Sequence, residues 1–131
     1  MSKVLIVDDD RTMVSLLKIL LEMDGFDVVN ISIGEQLLEK VRVENPDLVL
    51  MDVFLTDSDG KEILKQLRST KDIADVRVVM TSGMDLAEQC MDAGADAFLL
   101  KPYTPEQLMK IIRENLPQNG EADQKPTTVG G

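Results

Sequence analysis

The sequence predicts an α/β fold: a flavodoxin-like five-stranded parallel sheet of order 2-1-3-4-5, with five helices on both faces. Three observations carry this reading. The candidate strands are mostly unbroken apolar runs, such as Val4-Leu5-Ile6-Val7 and Leu48-Val49-Leu50-Met51, the pattern of strands covered on both sides. Each run is followed by a stretch of helical periodicity, so strand and helix alternate five times along the chain. Right-handed crossovers leave few strand orders, and 2-1-3-4-5 makes the first and third strands neighbours at the crevice where open α/β sheets bind ligands.

Taken in order, Val4 to Val7 is the first strand. Met13, Leu16, Leu17 and Leu20 give the first helix its apolar stripe, Asp24-Gly25 stops it, and Asp10 reads as its cap rather than as a metal ligand. Asp27 to Ile31 is a more mixed strand, suited to a place nearer an edge. Leu37, Leu38 and Val41 mark a second helix that ends before Pro46. The third strand ends at Asp52, and Asp59 is placed to cap a helix through Ile63, Leu64 and Leu67. Val76 to Met80 is the fourth strand, followed by Thr81-Ser82-Gly83 and a short weak helix with Leu86, Ala87, Cys90 and Met91. Asp96 to Leu100 is the fifth. Thr104, Pro105 and Gln107 then form the cap, first turn and capping box of a last helix that carries Leu108, Ile111, Ile112 and Leu116. Methionines at helical spacing read as core material, and Cys90 as a small hydrophobe. Residues 1–117 form one domain, and 118–131, which lack apolar periodicity, read as a flexible tail or linker.

With 131 residues and 44% apolar composition, the chain can bury roughly two-thirds of its unfolded surface without a disulfide or structural metal. One cysteine and no histidine exclude an internal disulfide, multi-cysteine zinc sites and Ser-His or Cys-His nucleophile pairs. The net charge of −10 argues against nucleic-acid and anionic-membrane partners. No signal-peptide core or membrane-length apolar run is present, so the reading is a soluble, cytoplasmic protein.

Four strand ends carry side chains that the topology brings to one crevice: Asp8-Asp9-Asp10, Asp52, Thr81-Ser82 and Lys101-Pro102. Two like charges ~5 Å apart at an effective dielectric of about 20 repel by roughly 3 kcal/mol, so Asp8, Asp9 and Asp52 together require a cation. Oxygen ligands without histidine or clustered thiolates select magnesium. Such a site commonly serves a phosphoryl group, with Lys101 as a point charge and the Thr81 hydroxyl as a donor. The available nucleophile is then a carboxylate, which can attack phosphorus to form an aspartyl phosphate. Lys101 alone would read as a solvated strand-end charge; Pro102 beside it, which fixes a loop at the crevice, favours the functional role.

These residues resemble the receiver domain of two-component response regulators. The resemblance runs from about Lys3 to Leu116 and rests on Asp8-Asp9, Met51-Asp52-Val53, the loop ending Asp59-Gly60, Met80-Thr81-Ser82-Gly83 and Lys101-Pro102. It implies Asp52 as phosphoacceptor, magnesium held by Asp9, Asp52 and the Phe54 carbonyl with Asp8 partly through water, and Thr81 and Phe98 as switch residues. On the residues alone, Phe98 reads as half-buried strand filling. The implied donor is a histidine kinase or phosphotransfer protein, with small acyl phosphates as substitutes. The implied output is a change in the face of the fourth helix, fifth strand and fifth helix toward an output domain or separate target, and a phosphorylation-dependent dimer stays open. Leu55-Thr56 replaces the frequent Met-Pro, which predicts a more mobile loop. Phe54 and Gly83 offer nothing to orient a hydrolytic water, which predicts a long-lived phosphorylated state.

Two alternatives have other chemistry. Asp8-x-Asp10-x-Thr12 also fits the opening of haloacid-dehalogenase-type phosphohydrolases, with Asp8 as nucleophile, but that leaves Asp52 without a role and lacks a later acidic motif. A receiver-like interaction module that accepts no phosphate is the other.

Overall fold

Parallel ladders join β1 (Lys3–Val7), β2 (Asp27–Ile31), β3 (Leu48–Asp52), β4 (Arg77–Ser82) and β5 (Ala97–Leu100) in the expected order β2-β1-β3-β4-β5. The computed structural model describes residues 2–117, so the predicted tail lies outside the described residues. Five helices alternate with the strands: α1 (Arg11–Met23), α2 (Leu37–Glu44), α3 (Gly60–Arg68), α4 (Ala87–Ala93) and α5 (Pro105–Asn115).

The pleat divides the strands between two cores, because successive side chains point to opposite faces. Val4, Ile6, Leu48, Leu50 and Val79 pack against Leu17 and Leu21 of α1 and Leu108 and Ile112 of α5. Leu5, Val7, Val49, Met51, Val78 and Met80 pack against α2, α3 and α4 through Leu37, Val41, Leu64, Leu67 and Cys90. The unbroken apolar runs are thus covered on both sides, and the mixed β2 lies at an edge.

The caps fall where the sequence places them. Asp10 accepts from the Met13 amide, Asp59 from the Lys61 amide, and Thr104 and Gln107 close a reciprocal capping box on α5. Some boundaries and faces differ. Thr81 and Ser82 belong to β4 rather than to the loop after it, because they pair with Leu99 and Leu100 of β5. Asp96 precedes β5, its carboxylate accepting from the Val78 amide at 2.8 Å. The core face of α1 is Val14, Leu17 and Leu21, which leaves Leu16, Ile19 and Met23 exposed. A helix apolar on nearly every side has no unique stripe to read. Of the helical methionines, Met13 and Met109 pack against a core while Met23 and Met91 are exposed, so methionine spacing on the helices marks burial only in part.

Three local arrangements fix how the elements meet. A Cβ on Gly60 would lie 2.5 Å from the Asp52 carbonyl oxygen and 3.1 Å from the Val53 Cα, so α3 starts flush against the end of β3. At the far end of α3 the Arg68 guanidinium donates to the carbonyls of Gly94 (2.8 Å), Ala74 (2.8 Å) and Val76 (2.6 Å) and pairs with Asp96 at 3.0 Å. At the N-terminal edge of the sheet the Lys3 amide donates to the Asp47 carboxylate at 2.7 Å. There the Asp47 amide donates to the Lys3 carbonyl at 2.8 Å, and Asp47 and Pro117 line one cavity of about 230 Å³.

Candidate functional site

The strand order decides which side chains meet. Val7 pairs with Met51, so Asp8 and Asp52 leave neighbouring strands side by side, and Thr81 faces Asp52 across the β3–β4 ladder. The Lys101 amide donates to the Ser82 carbonyl at 2.8 Å, which extends β5 by one residue along β4 and brings Lys101 to the same edge. Its Nζ lies 3.5 Å from Asp8 Oδ2 and 3.6 Å from Asp52 Oδ1, so one cation spans the two carboxylates. Lys101 and Pro102 are joined by a cis peptide. Asp8 is only 5% exposed, and its other oxygen accepts from the Asp10 amide at 2.9 Å. Thr81 is buried in its ladder, and Phe98, opposite Met80, is half-buried against the core under α3 and α4.

Burial pushes the Asp52 carboxyl above its ordinary value; Lys101 opposes this, and the charges of Asp8 and Asp9 add to it. Burial and then the charges of Asp8 and Asp52 push the Tyr103 phenol up to about 12. Tyr103 packs beside the site with its hydroxyl 3.9 Å from Met13 Sδ; a lone aromatic two residues past Lys101 gave no sequence signal of that proximity.

The third acidic residue points elsewhere. Asp9 Oδ2 accepts from the Thr56 amide at 2.7 Å and also from the Thr56 hydroxyl, and this hydroxyl is the main reason its carboxyl lies below the usual range. Next to it, Asp57 accepts from the amides of Gly34 (3.0 Å) and Glu35 (3.2 Å), at the start of the 3-10 turn that leads into α2. The loop expected to be loosened by Thr56 is therefore tied on both sides. Proline at 56 could not make these bonds, so the departure itself was the signal. A groove of about 800 Å³ lined by Asp8, Asp9, Arg11, Lys18, Thr56 and Asp57 opens beside this loop, and Asp52, Thr81 and Lys101 lie outside it.

Asp8 and Asp52 come together as expected, bridged by Lys101, whereas Asp9 is turned to Thr56; among the described residues no three His, Cys, Asp or Glu side chains are arranged to hold a metal ion. The reason is local, since Lys101 and the Asp10 amide engage Asp8 while Thr56 holds Asp9. The chemistry of the donors still fits a hard divalent cation, because clustered carboxylates with a single lysine leave negative charge uncompensated.

Residues 4–113 match the response regulator receiver domain family. The chain belongs to that family. Its sequence is 38% identical over 132 residues to the transcriptional regulatory protein CpxR of Klebsiella pneumoniae, covering 100% of this chain and 56% of that protein. The chain spans about half the length of the curated relatives it matches. Among solved structures, the BeF3-activated N-terminal receiver domain of Klebsiella pneumoniae RstA superposes with a TM-score of 0.82 at 28% identity, over 89% of this chain and 100% of that one. The receiver domain of the Pseudomonas aeruginosa sensor histidine kinase PA1611 shares the fold, with a TM-score of 0.79 at 23% identity over 86% and 95% of the two chains; that structure holds a magnesium ion in its active site cleft. The receiver fold serves a phosphoacceptor switch of two-component signalling, and nothing favours the phosphohydrolase reading, in which Asp10, here the α1 cap, would be the acid-base group. No helix among the described residues is long and apolar enough to cross a membrane.

Proposed function

We propose that Asp52 is the phosphoacceptor of this receiver and that Asp8, Asp9, Asp52 and the Phe54 carbonyl hold the Mg2+ that accompanies it. The observation that carries the reading is Lys101 Nζ set between Asp8 and Asp52, at the end of the strand beside Thr81. The ionised Asp52 carboxylate attacks phosphorus; a P–O bond forms as the P–N bond of a phosphohistidine, or the P–O bond of an acyl phosphate, breaks and the leaving group departs with the electron pair. Bound magnesium supplies charge neutralisation for the transferring oxygens. Lys101 holds a second positive charge on that site, and the Thr81 hydroxyl donates to a phosphoryl oxygen once the group is on Asp52.

Thr81 and Phe98 then carry the change to the face of α4, β5 and α5. The phosphodonor is a histidine kinase or phosphotransfer protein, and the output an attached domain or a separate target, with direct nucleic-acid binding left to parts other than this acidic domain. Its setting is the cytoplasm, and dimerisation on phosphorylation is one route to output. The domain catalyses only its own phosphorylation and dephosphorylation.

Intact mass after incubation with acetyl phosphate tests this. One magnesium-dependent phosphoryl adduct, absent from Asp52→Asn, is the expected result. No adduct on the native chain favours the inert interaction module, and an adduct that survives Asp52→Asn but is lost in Asp8→Asn favours the phosphohydrolase.

A further inference from the structure

Both hydrogen-bond donors of Thr56, its amide and its hydroxyl, converge on the same oxygen of Asp9. An oxygen engaged by two donors has little capacity left for a cation, so ligation through Oδ2 requires these bonds to break or Thr56 to travel with it, and ligation through Oδ1 draws on a carboxylate whose charge and orientation those bonds already hold. Travel is opposed by the next residue, because Asp57 is fastened to the amides of Gly34 and Glu35. On the other side the loop is closed by the Leu55 amide on the Ser58 carbonyl and the Gly60 amide on the Val53 carbonyl, at 3.2 and 2.7 Å.

We infer that Thr56 is a positioning residue that sets the cation affinity of this site by holding Asp9 in competition with the metal. The inference rests on the reading of Asp9 as a cation ligand. It makes the tied loop part of the activation threshold: a divalent cation competes with Thr56 for Asp9, and the magnesium concentration at which the site becomes competent is higher than the carboxylates alone would set.

The test is a magnesium titration of the 15N-labelled full chain followed by NMR, reading the amides of Asp9 and Thr56. A net hydrogen bond to an exposed carboxylate corresponds to roughly three- to ten-fold in affinity, so Thr56→Val, which removes only the hydroxyl, binds magnesium tighter by that factor. Thr56→Ser keeps the donor and matches the native chain. Equal affinity in the native chain and Thr56→Val, with Asp9→Asn still weakening binding, overturns this inference and leaves the cation site standing. A native chain with no saturable response, or with a response that Asp9→Asn leaves unchanged, brings down the cation-site reading and this inference together. A weakened Thr56→Ser would assign the effect to side-chain volume and also overturn it.

Discussion

Asp52 is held in a state it would not choose in water. Its carboxyl is pushed above the usual value of 3.8, first by burial and then by Asp8 and Asp9, against the opposing pull of Lys101. A carboxyl whose folded value is raised binds its proton more tightly in the native state, so between the unfolded and folded values stability falls as pH rises, and above both the penalty is fully present. Asp52→Asn should therefore raise the melting temperature at pH 7, and the advantage should shrink as the pH is lowered toward 3.8; calorimetry at several pH values checks this. On the proposed reading, the residues flanking the site bear on loss of the phosphoryl group. Phe54 is 54% exposed, and a Cβ on Gly83 would meet nothing within 4 Å, so neither position orients water although 83 has room for a side chain. The phosphorylated native chain should persist well beyond seconds in magnesium buffer. Phe54→Asn with Gly83→Glu should shorten its lifetime ten-fold or more, since a positioned proton-transfer group contributes ~10²-fold or above; decay of the mass adduct measures both.

At the scale of elements, Arg68 does what no single strand or helix can. Its three carbonyl bonds and its pair with Asp96 tie the end of α3 to the entry of β4 and the end of α4. Arg68→Ala should cost about 2–4 kcal/mol, the range for losing charge-assisted bonds in a partly buried pair. Arg68→Lys should recover little, because an ammonium lacks the planar fork that reaches several acceptors at once; urea unfolding with an unchanged slope is the check. None of this is visible in the sequence, where Arg68 is one more basic residue in a last helical turn. What could be read were signals with a local cause: Asp10, Asp59 and Thr104 as caps, Asp24-Gly25 as a stop, the mixed Asp27–Ile31 as an edge. What could not be read was settled by partners distant in the chain. The β5 ladder draws Thr81 and Ser82 into β4, and the packing of α1 selects Val14 and Leu21 over Leu16.

On the scale of the whole molecule, the strand order brings Asp8, Asp52, Thr81 and Lys101 to one edge, and that much is legible in five alternations of apolar run and helix. The sequence could not show how three carboxylates and one lysine divide their bonds, because the division turns on one loop whose Thr56 and Asp57 face different neighbours. The opposite edge carries a separate consequence. Lys3 is bonded to Asp47 through backbone and side chain, and Pro117 lines the same cavity as Asp47. Residues 3 and 117 thus both lie around Asp47, at the pole away from Asp52. A circular permutant that joins them through a short linker and opens between α3 and β4 should fold and keep its magnesium-dependent adduct; circular dichroism and intact mass would reveal a failure of either. With both ends at one pole, the domain is also suited to insertion into a surface loop of a host protein, with the edge that carries Asp52 facing away from the host.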